Sequence, residues 1–308
     1  MNLPALNRND QFESLFEHVE RISRIVHSTA AAVVIIQDDH IAAEWHSGYH
    51  HNKSGARPVT SDSQFNVYSI RKTHIGLALA FAVLEGNLDL DTPVYSFIEN
   101  IPQAELETIT IGNVLTKTKP KFFGPHKTEG EGLAAAIVKQ VTGKTIAQLL
   151  QEKVFEPLQF KNTEWLAAPK QNLVCDFTAG DGYASVRLES DEGHERNLYM
   201  TARELAYWGY LFLNQGVIHG ERIIPKAVFD LAEKLKTTAE YANKRIMGWY
   251  YEGDLITAEG ATGCNVAIIP KYRTVAVRMY NRYATMTHLE TLLNCLQHDA
   301  NASYVRNN

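Results

Sequence analysis

Ser69-Ile70-Arg71-Lys72, running into the apolar stretch Ile75-Gly76-Leu77-Ala78-Leu79-Ala80-Phe81-Ala82-Val83-Leu84, decides how the rest of this chain is read. In a helix, side chains three positions apart share a face, with Cβ atoms about 5–6 Å apart. The Ser69 hydroxyl and the Lys72 amine therefore meet across a single turn. An alcohol is a poor nucleophile at neutral pH and needs a base beside it. A lysine becomes that base when burial and the positive end of a helix dipole make its proton easy to lose. The spacing predicts a nucleophile and its base at the mouth of a buried helix. Four letters recur by chance, so the surrounding chain has to carry the rest.

Working outward, residues 12–26 read as an amphipathic helix, with Phe12, Leu15, Phe16, Val19, Ile22 and Ile25 on one side. Ala32-Val33-Val34-Ile35-Ile36, a polar turn Gln37-Asp38-Asp39-His40 and Ile41-Ala42-Ala43-Glu44-Trp45 read as a hairpin. A polar loop, 46–63, leads to Phe65 and the tetrad. Gly86 is the expected stop of the tetrad helix. Further helices are expected to open at Thr108-Ile109-Thr110-Ile111 and to cover 132–141, 145–154, 201–214 and 225–235. Strands follow at 247–251, 265–269 and 274–279, with a last helix over 286–298. Strands at both ends and helices between predict an α/β fold of the α+β type. Its antiparallel sheet is built from both termini and flanked by helices, with a helical insert. No Gly/Ser linker or repeat interrupts residues 1–308, so one domain is expected. Residues 1–64 and 240–308 form its sheet region and 65–239 its mainly helical region. The tetrad falls at their seam, where concave sites form.

Composition narrows the function. The 308 residues are 45% apolar, as in an ordinary globular protein, and carry a net charge of −5 with scattered basic residues. Neither a nucleic acid nor an anionic membrane is the expected partner. The N-terminus has no basic region followed by an apolar stretch, and no run of about 18 apolar residues occurs. A cytoplasmic location is expected. Cys175, Cys264 and Cys295 make neither a disulfide framework nor a C-x-x-C pair.

Several further stretches point one way. They are Phe65-Asn66-Val67-Tyr68 before the tetrad, Leu84-Glu85-Gly86-Asn87-Leu88-Asp89-Leu90-Asp91, and Ile109-Thr110-Ile111-Gly112-Asn113-Val114-Leu115-Thr116. Val141-Thr142-Gly143-Lys144-Thr145, Phe155-Glu156-Pro157-Leu158 and Lys161-Asn162-Thr163 follow in order. Thr201-Ala202-Arg203-Glu204-Leu205-Ala206, then Ile269-Pro270 and Asn281-Arg282, close the series. With them, the chain resembles the serine β-lactamase and penicillin-binding protein superfamily, in its class C-like branch with esterases and D-amino-acid peptidases. The tetrad is that superfamily's nucleophile motif. The resemblance implies a β-lactamase/transpeptidase-like fold and a Ser69 nucleophile whose proton passes to Lys72. It also implies a third group that returns a proton to the leaving group. The backbone N–H groups of Ser69 and Ala261 would form an oxyanion hole.

The other two motifs of the superfamily diverge. The second, usually Y-x-N or S-x-N, falls on His126-Lys127-Thr128 when counted back from Val141-Thr142-Gly143, after an unusually short loop, 117–125. The third, K-T-G or H-x-G, falls on Ala258-Glu259-Gly260, which keeps the glycine and loses the cation. A literal Y-x-N, Tyr241-Ala242-Asn243, lacks the helix that should follow it. An imidazole titrates near pH 6.5, so His126 could replace the tyrosine as proton donor; otherwise it is one loop histidine among twelve. Thr128, Glu259 and Gly260 are expected on the substrate side. A desolvated Glu259 would repel a substrate carboxylate, which argues against β-lactams and peptides with a free D-amino-acid end. Neutral esters, amides or a cationic ligand would suit it; a Glu259 pointing to solvent would settle nothing.

His46, His50 and His51 lack the partners a metal site needs and read as a solvated loop. His74 reads as a packed group, and Tyr68, Tyr207, Trp208 and Tyr210 as core or groove wall. Asp176, Asp181, Asp191 and Glu192 read as exposed charges near the pocket rim. No cofactor or metal is expected. The function expected is a serine hydrolase of a small-molecule ester or amide. The alternative is a catalytically degenerate relative that binds a ligand or regulates.

Overall fold

The strand Ala30–Gln37 (β1) is apolar at every position but its last. A strand without alternation belongs where both faces of a sheet are covered, and here both are. The computed structural model describes residues 3–98, 102–117, 130–175 and 187–306. Within them β1 joins His40–Gly48 (β2), Arg245–Ile246 (β3), Trp249–Glu252 (β4), Leu255–Glu259 (β5), Asn265–Ile269 (β6) and Thr274–Tyr280 (β7). The seven strands lie in the order β2-β1-β7-β6-β5-β4-β3, and every neighbouring pair is antiparallel. Both ends of the chain thus supply the sheet, as expected.

Successive β1 side chains divide between two cores. Ala30, Ala32, Val34 and Ile36 join Val266, Ile268, Val275 and Val277 under the helices Arg71–Glu85 (α2) and Ala202–Leu213 (α5). Ala31, Val33 and Ile35 face the other way. They meet Phe12, Leu15, Phe16 and Val19, on and just before Glu13–Ile25 (α1), and Leu292 and Leu296 of Leu289–Arg306 (α7). Each Val, Leu, Ile or Phe among these contributes about 1.5–3 kcal/mol on burial, which is why β1 is apolar on both faces. The C-terminal helix begins later and runs further than the expected 286–298. Among the described residues no helix is long and apolar enough to cross a membrane.

The tetrad helix α2 is buried on nearly all sides, from Thr73 to Val83. Trp208 of α5 lies flat on His74, with ring centroids 3.9 Å apart, and its indole N–H donates to Thr73 Oγ1 at 2.9 Å. Burial pushes His74 down to about 3, so it is a neutral aromatic plate and not a proton carrier. Gly86 does end α2, but with φ −81°; the left-handed residue is Asn87, at φ +46°. Gly86 is small for a different reason. A Cβ there would sit 2.8 Å from Val141 on the helix Gly130–Thr142 (α4).

Two sequence signatures turn out to be one contact. Thr201 caps α5, and Glu204 in its first turn accepts hydrogen bonds from Lys161 N, Asn162 N and Thr163 Oγ1 at 2.6–3.1 Å. Glu204 is buried, so Glu204→Ala strands three donors and should cost about 3 kcal/mol. Asp230→Ala, which breaks an exposed pair with Lys226, should cost under about 0.5 kcal/mol. Thermal melts of the two variants side by side check this, and equal shifts would refute it.

The expected strand 247–251 is corrected. Met247 and Gly248 have φ +50° and +83°, the two positive values of a two-residue hairpin turn, and they join β3 to β4. This turn rests on α2. A Cβ on Gly76 would lie 2.5 Å from the Met247 carbonyl carbon, and one on Gly248 2.5 Å from Thr73 N. Met247 N also donates to Leu115 O (2.7 Å) in the short helix Ile111–Thr116 (α3).

Candidate active site

Ser69 lies in a single 3₁₀ turn, Tyr68–Ile70, directly before α2. Tyr68 has φ +45°, a conformation that costs a bulky residue on the order of 1–3 kcal/mol. Its surroundings hold it there. Tyr68 N donates to Asn66 Oδ1 (2.8 Å), and the Arg187 and Arg196 guanidinium carbons lie 5.7 and 5.8 Å from the ring centroid. Buried Arg71 donates to Tyr68 O and to His194 O, at 3.3 and 3.0 Å. The turn that carries Ser69 is thus clamped to the 187–197 segment. From the next turn, Lys72 Nζ donates to Ser69 Oγ at 3.4 Å. The apposition expected from i,i+3 spacing is present.

Lys72 has a partner that the sequence did not suggest. Its Nζ lies 3.6 Å from Glu131 Oε1, and Lys117 Nζ lies 2.9 Å from the same oxygen. Glu131 is buried at the start of α4; Lys117 follows α3 in the left-handed conformation, φ +55°. Burial raises the Glu131 carboxyl, but Lys117, Lys72 and Arg71 together overcome it and bring it down to about 2 from 4.5. A carboxyl lowered in the folded state stabilises above its unfolded value, and loses that contribution as pH falls through the folded one. Here the window is pH 4.5 to 2, and the contribution is roughly 3 kcal/mol. Glu131→Gln should therefore flatten stability against pH within that window, as followed by denaturant midpoints. A slope like the parent's would refute it.

These groups open on a cleft of about 450 Å³ between the helical region and the sheet. Ser69, Lys72 and Lys117 line one side, with Gly248 of the β3–β4 turn beside them. Arg245, Tyr250 and Thr257 stand opposite one another across β3, β4 and β5, and therefore share the face that lines the other side. Ala258 and Glu259 complete that wall.

Glu259 is exposed but still lines the cleft, at the end of β5. Gly260 is buried, and a side chain there would strike the Val67 carbonyl. That contact brings Gly260 and Ala261 against the segment carrying Ser69. The cation missing at Ala258 does not leave the wall without one, since Arg245 stands two strands away. The wall thus carries both signs of charge, Arg245 on β3 and Glu259 at the end of β5. His126 and Thr128, along with Asp176 and Asp181, lie outside the described residues.

The literal Y-x-N belongs to the scaffold. Tyr241 is buried, bonded to Asp91 and, at 3.3 Å, to Leu90 O, while Asn243 Nδ2 donates to Thr116 O at 2.9 Å. His50 is buried and bonded to Ser63 (2.8 Å), and His46 lies 3.4 Å from Glu44; neither is simply a solvated loop group. Among the described residues no three His, Cys, Asp or Glu side chains are grouped to hold a metal.

Comparison with known proteins places the chain in context. A family model described as Beta-lactamase matches residues 18–119 and 126–293. An uncharacterized protein of Alkalihalophilus pseudofirmus is 30% identical over 92% of this chain and 93% of its own length. A β-lactamase from Sulfitobacter sp. EE-36 superposes with a TM-score of 0.75 at 17% identity, over 97% of this chain and 100% of that one. A class C β-lactamase solved in complex with cefoxitin gives 0.75 at 14% identity, over 95% and 99%.

Proposed function

The chain belongs to the Beta-lactamase family of serine hydrolases, and on that premise we propose that it forms an acyl-enzyme at Ser69, with Lys72 as general base, on a small ester or amide. The observation that carries this reading is the 3.4 Å contact between Lys72 Nζ and Ser69 Oγ at the floor of an open cleft. In the proposed reaction Ser69 Oγ bonds to the substrate carbonyl carbon as its proton passes to the neutral Lys72 amine. The N–H groups of Ser69 and Ala261 are assigned to the developing oxyanion. His126 is assigned to protonate the leaving group, and Thr128 and Gly260 to contact substrate. The bond to the leaving group breaks as His126 gives up its proton. Water then attacks the ester at Ser69, one of its protons returning to Ser69 Oγ as the acid leaves, and the proton held by Lys72 replaces the one His126 gave. Glu259 favours substrates that are neutral or cationic beside the end of β5.

One observation favours the alternative, a degenerate relative that binds without turnover. An anion 3.6 Å from Lys72 stabilises its ammonium form, which cannot accept a proton. Intact-mass analysis after treatment with a fluorophosphonate, together with turnover of a chromogenic short-chain ester and a chromogenic cephalosporin between about pH 6 and 9, separates the readings. The hydrolase reading expects one adduct, absent in Ser69→Ala, and turnover of the ester above that of the cephalosporin. His126→Ala should lower ester turnover about 100-fold. No adduct and no turnover at any pH in that range would sink the hydrolase reading.

A further inference from the structure

Lys72, on α2, and Lys117, just after α3, converge on a single oxygen, Glu131 Oε1, from 3.6 and 2.9 Å. Glu131 is itself buried, and these two ammonium groups are within ion-pair reach of its carboxylate. A buried carboxylate is retained only with such partners. We propose that Glu131 is a positioning residue that holds the Lys72 amine beside Ser69 and, in balance with Lys117, sets the charge on that amine. The inference rests on the acyl-enzyme reading for its role, and on the geometry alone for the charge.

The two neighbours act in opposite senses. Glu131 stabilises the ammonium form of Lys72, while Lys117 stabilises the free amine, both by repelling the cation and by occupying the Glu131 oxygen. Among the described residues three more charged groups face the same space: Arg71 beside Lys72 on α2, Arg245 on β3 and Glu259 on β5. Arg245 and Glu259 are exposed at the cleft wall, where solvent weakens their effect. Buried Glu131 and the Lys117 paired with it therefore dominate. Lys117 here does by charge what a change of substrate or a pH shift would otherwise have to do, namely free Lys72 to take the Ser69 proton.

The test follows the Lys72 side chain directly, in the full-length protein labelled with lysine-13Cε, its resonance assigned by its loss in Lys72→Met. Glu131→Gln keeps the side-chain volume and should lower the Lys72 titration midpoint by about one pH unit or more. Lys117→Met should raise it by a comparable amount. The acid limb of fluorophosphonate labelling at Ser69 should move in the same two directions. A Lys72 midpoint unchanged in Glu131→Gln, with the fold intact by circular dichroism, overturns the inference. Should Lys117→Met not fold, Lys117→Gln must give the same upward shift, and a downward one overturns the balance. Midpoints that move as stated in a protein whose Ser69 takes no label uphold the charge assignment and sink the hydrolase reading.

Discussion

Lys72→Met should slow acylation of Ser69 by about 100- to 10,000-fold, the usual contribution of a positioned general base. The methionine fills nearly the same volume beside Ser69, and the helix that carries it is held by packing remote from the amine. Thr73, His74 and the residues through Val83 are buried, and Trp208 stacks on His74. Melting temperature should therefore change little while the rate of fluorophosphonate labelling collapses. The loss also leaves Glu131 paired with Lys117 at 2.9 Å, with Arg71 near, so no uncompensated buried charge results. Labelling of Lys72→Met at the parent rate would remove the lysine from the mechanism and return Ser69 to an ordinary alcohol.

Gly248→Ala should be as damaging to the fold as Lys72→Met is to the chemistry. Gly248 has φ +83°, and its missing Cβ would overlap the Lys72 carbonyl and approach Thr73 N to 2.5 Å. Left-handed strain and overpacking against backbone each cost on the order of 1–3 kcal/mol. A combined loss of about 3 kcal/mol corresponds, for a chain of 308 residues, to a fall of about 5 °C in Tm. Because the turn bears on the residue that faces Ser69, labelling should slow as well. Gly253→Ala is the control: φ is +58° but the space beyond it is open. It should lose only about 1 kcal/mol, for the backbone conformation alone. If the two variants melt together, the close approach of the turn to α2 is not what Gly248 provides.

These two outcomes divide along what could be read from the chain and what could not. The Ser69–Lys72 contact needed only helical spacing, which is local and independent of the rest of the molecule. The same holds for the apolar β1, whose lack of alternation already required a cover on each face, and for the capping threonine at Thr110, whose side chain accepts from Asn113 N. The match of Lys161-Asn162-Thr163 with Thr201-Ala202-Arg203-Glu204 was visible as two signatures, but their union through the buried Glu204 was not. The hairpin turn at Met247-Gly248 was read as strand because Met247-Gly248-Trp249-Tyr250-Tyr251 is uniformly apolar and aromatic in pattern. What makes it turn is the surface of α2 beneath it.

The sequence by itself pointed to the fold class, the sheet drawn from both ends and the approach of Lys72 to Ser69. The approach follows from spacing within one helix, the rest from the order of strands and helices along the chain. Only the tertiary structure decided that Glu131 and Lys117 meet Lys72, that Arg245 supplies a cation to a wall that Ala258 leaves without one, and that Gly76 and Gly248 exist to let a turn lie on a helix. Each of those facts joins residues from elements far apart in the chain. Their separation in space is set by how the packed layers close, and charge and close contact act on that distance alone.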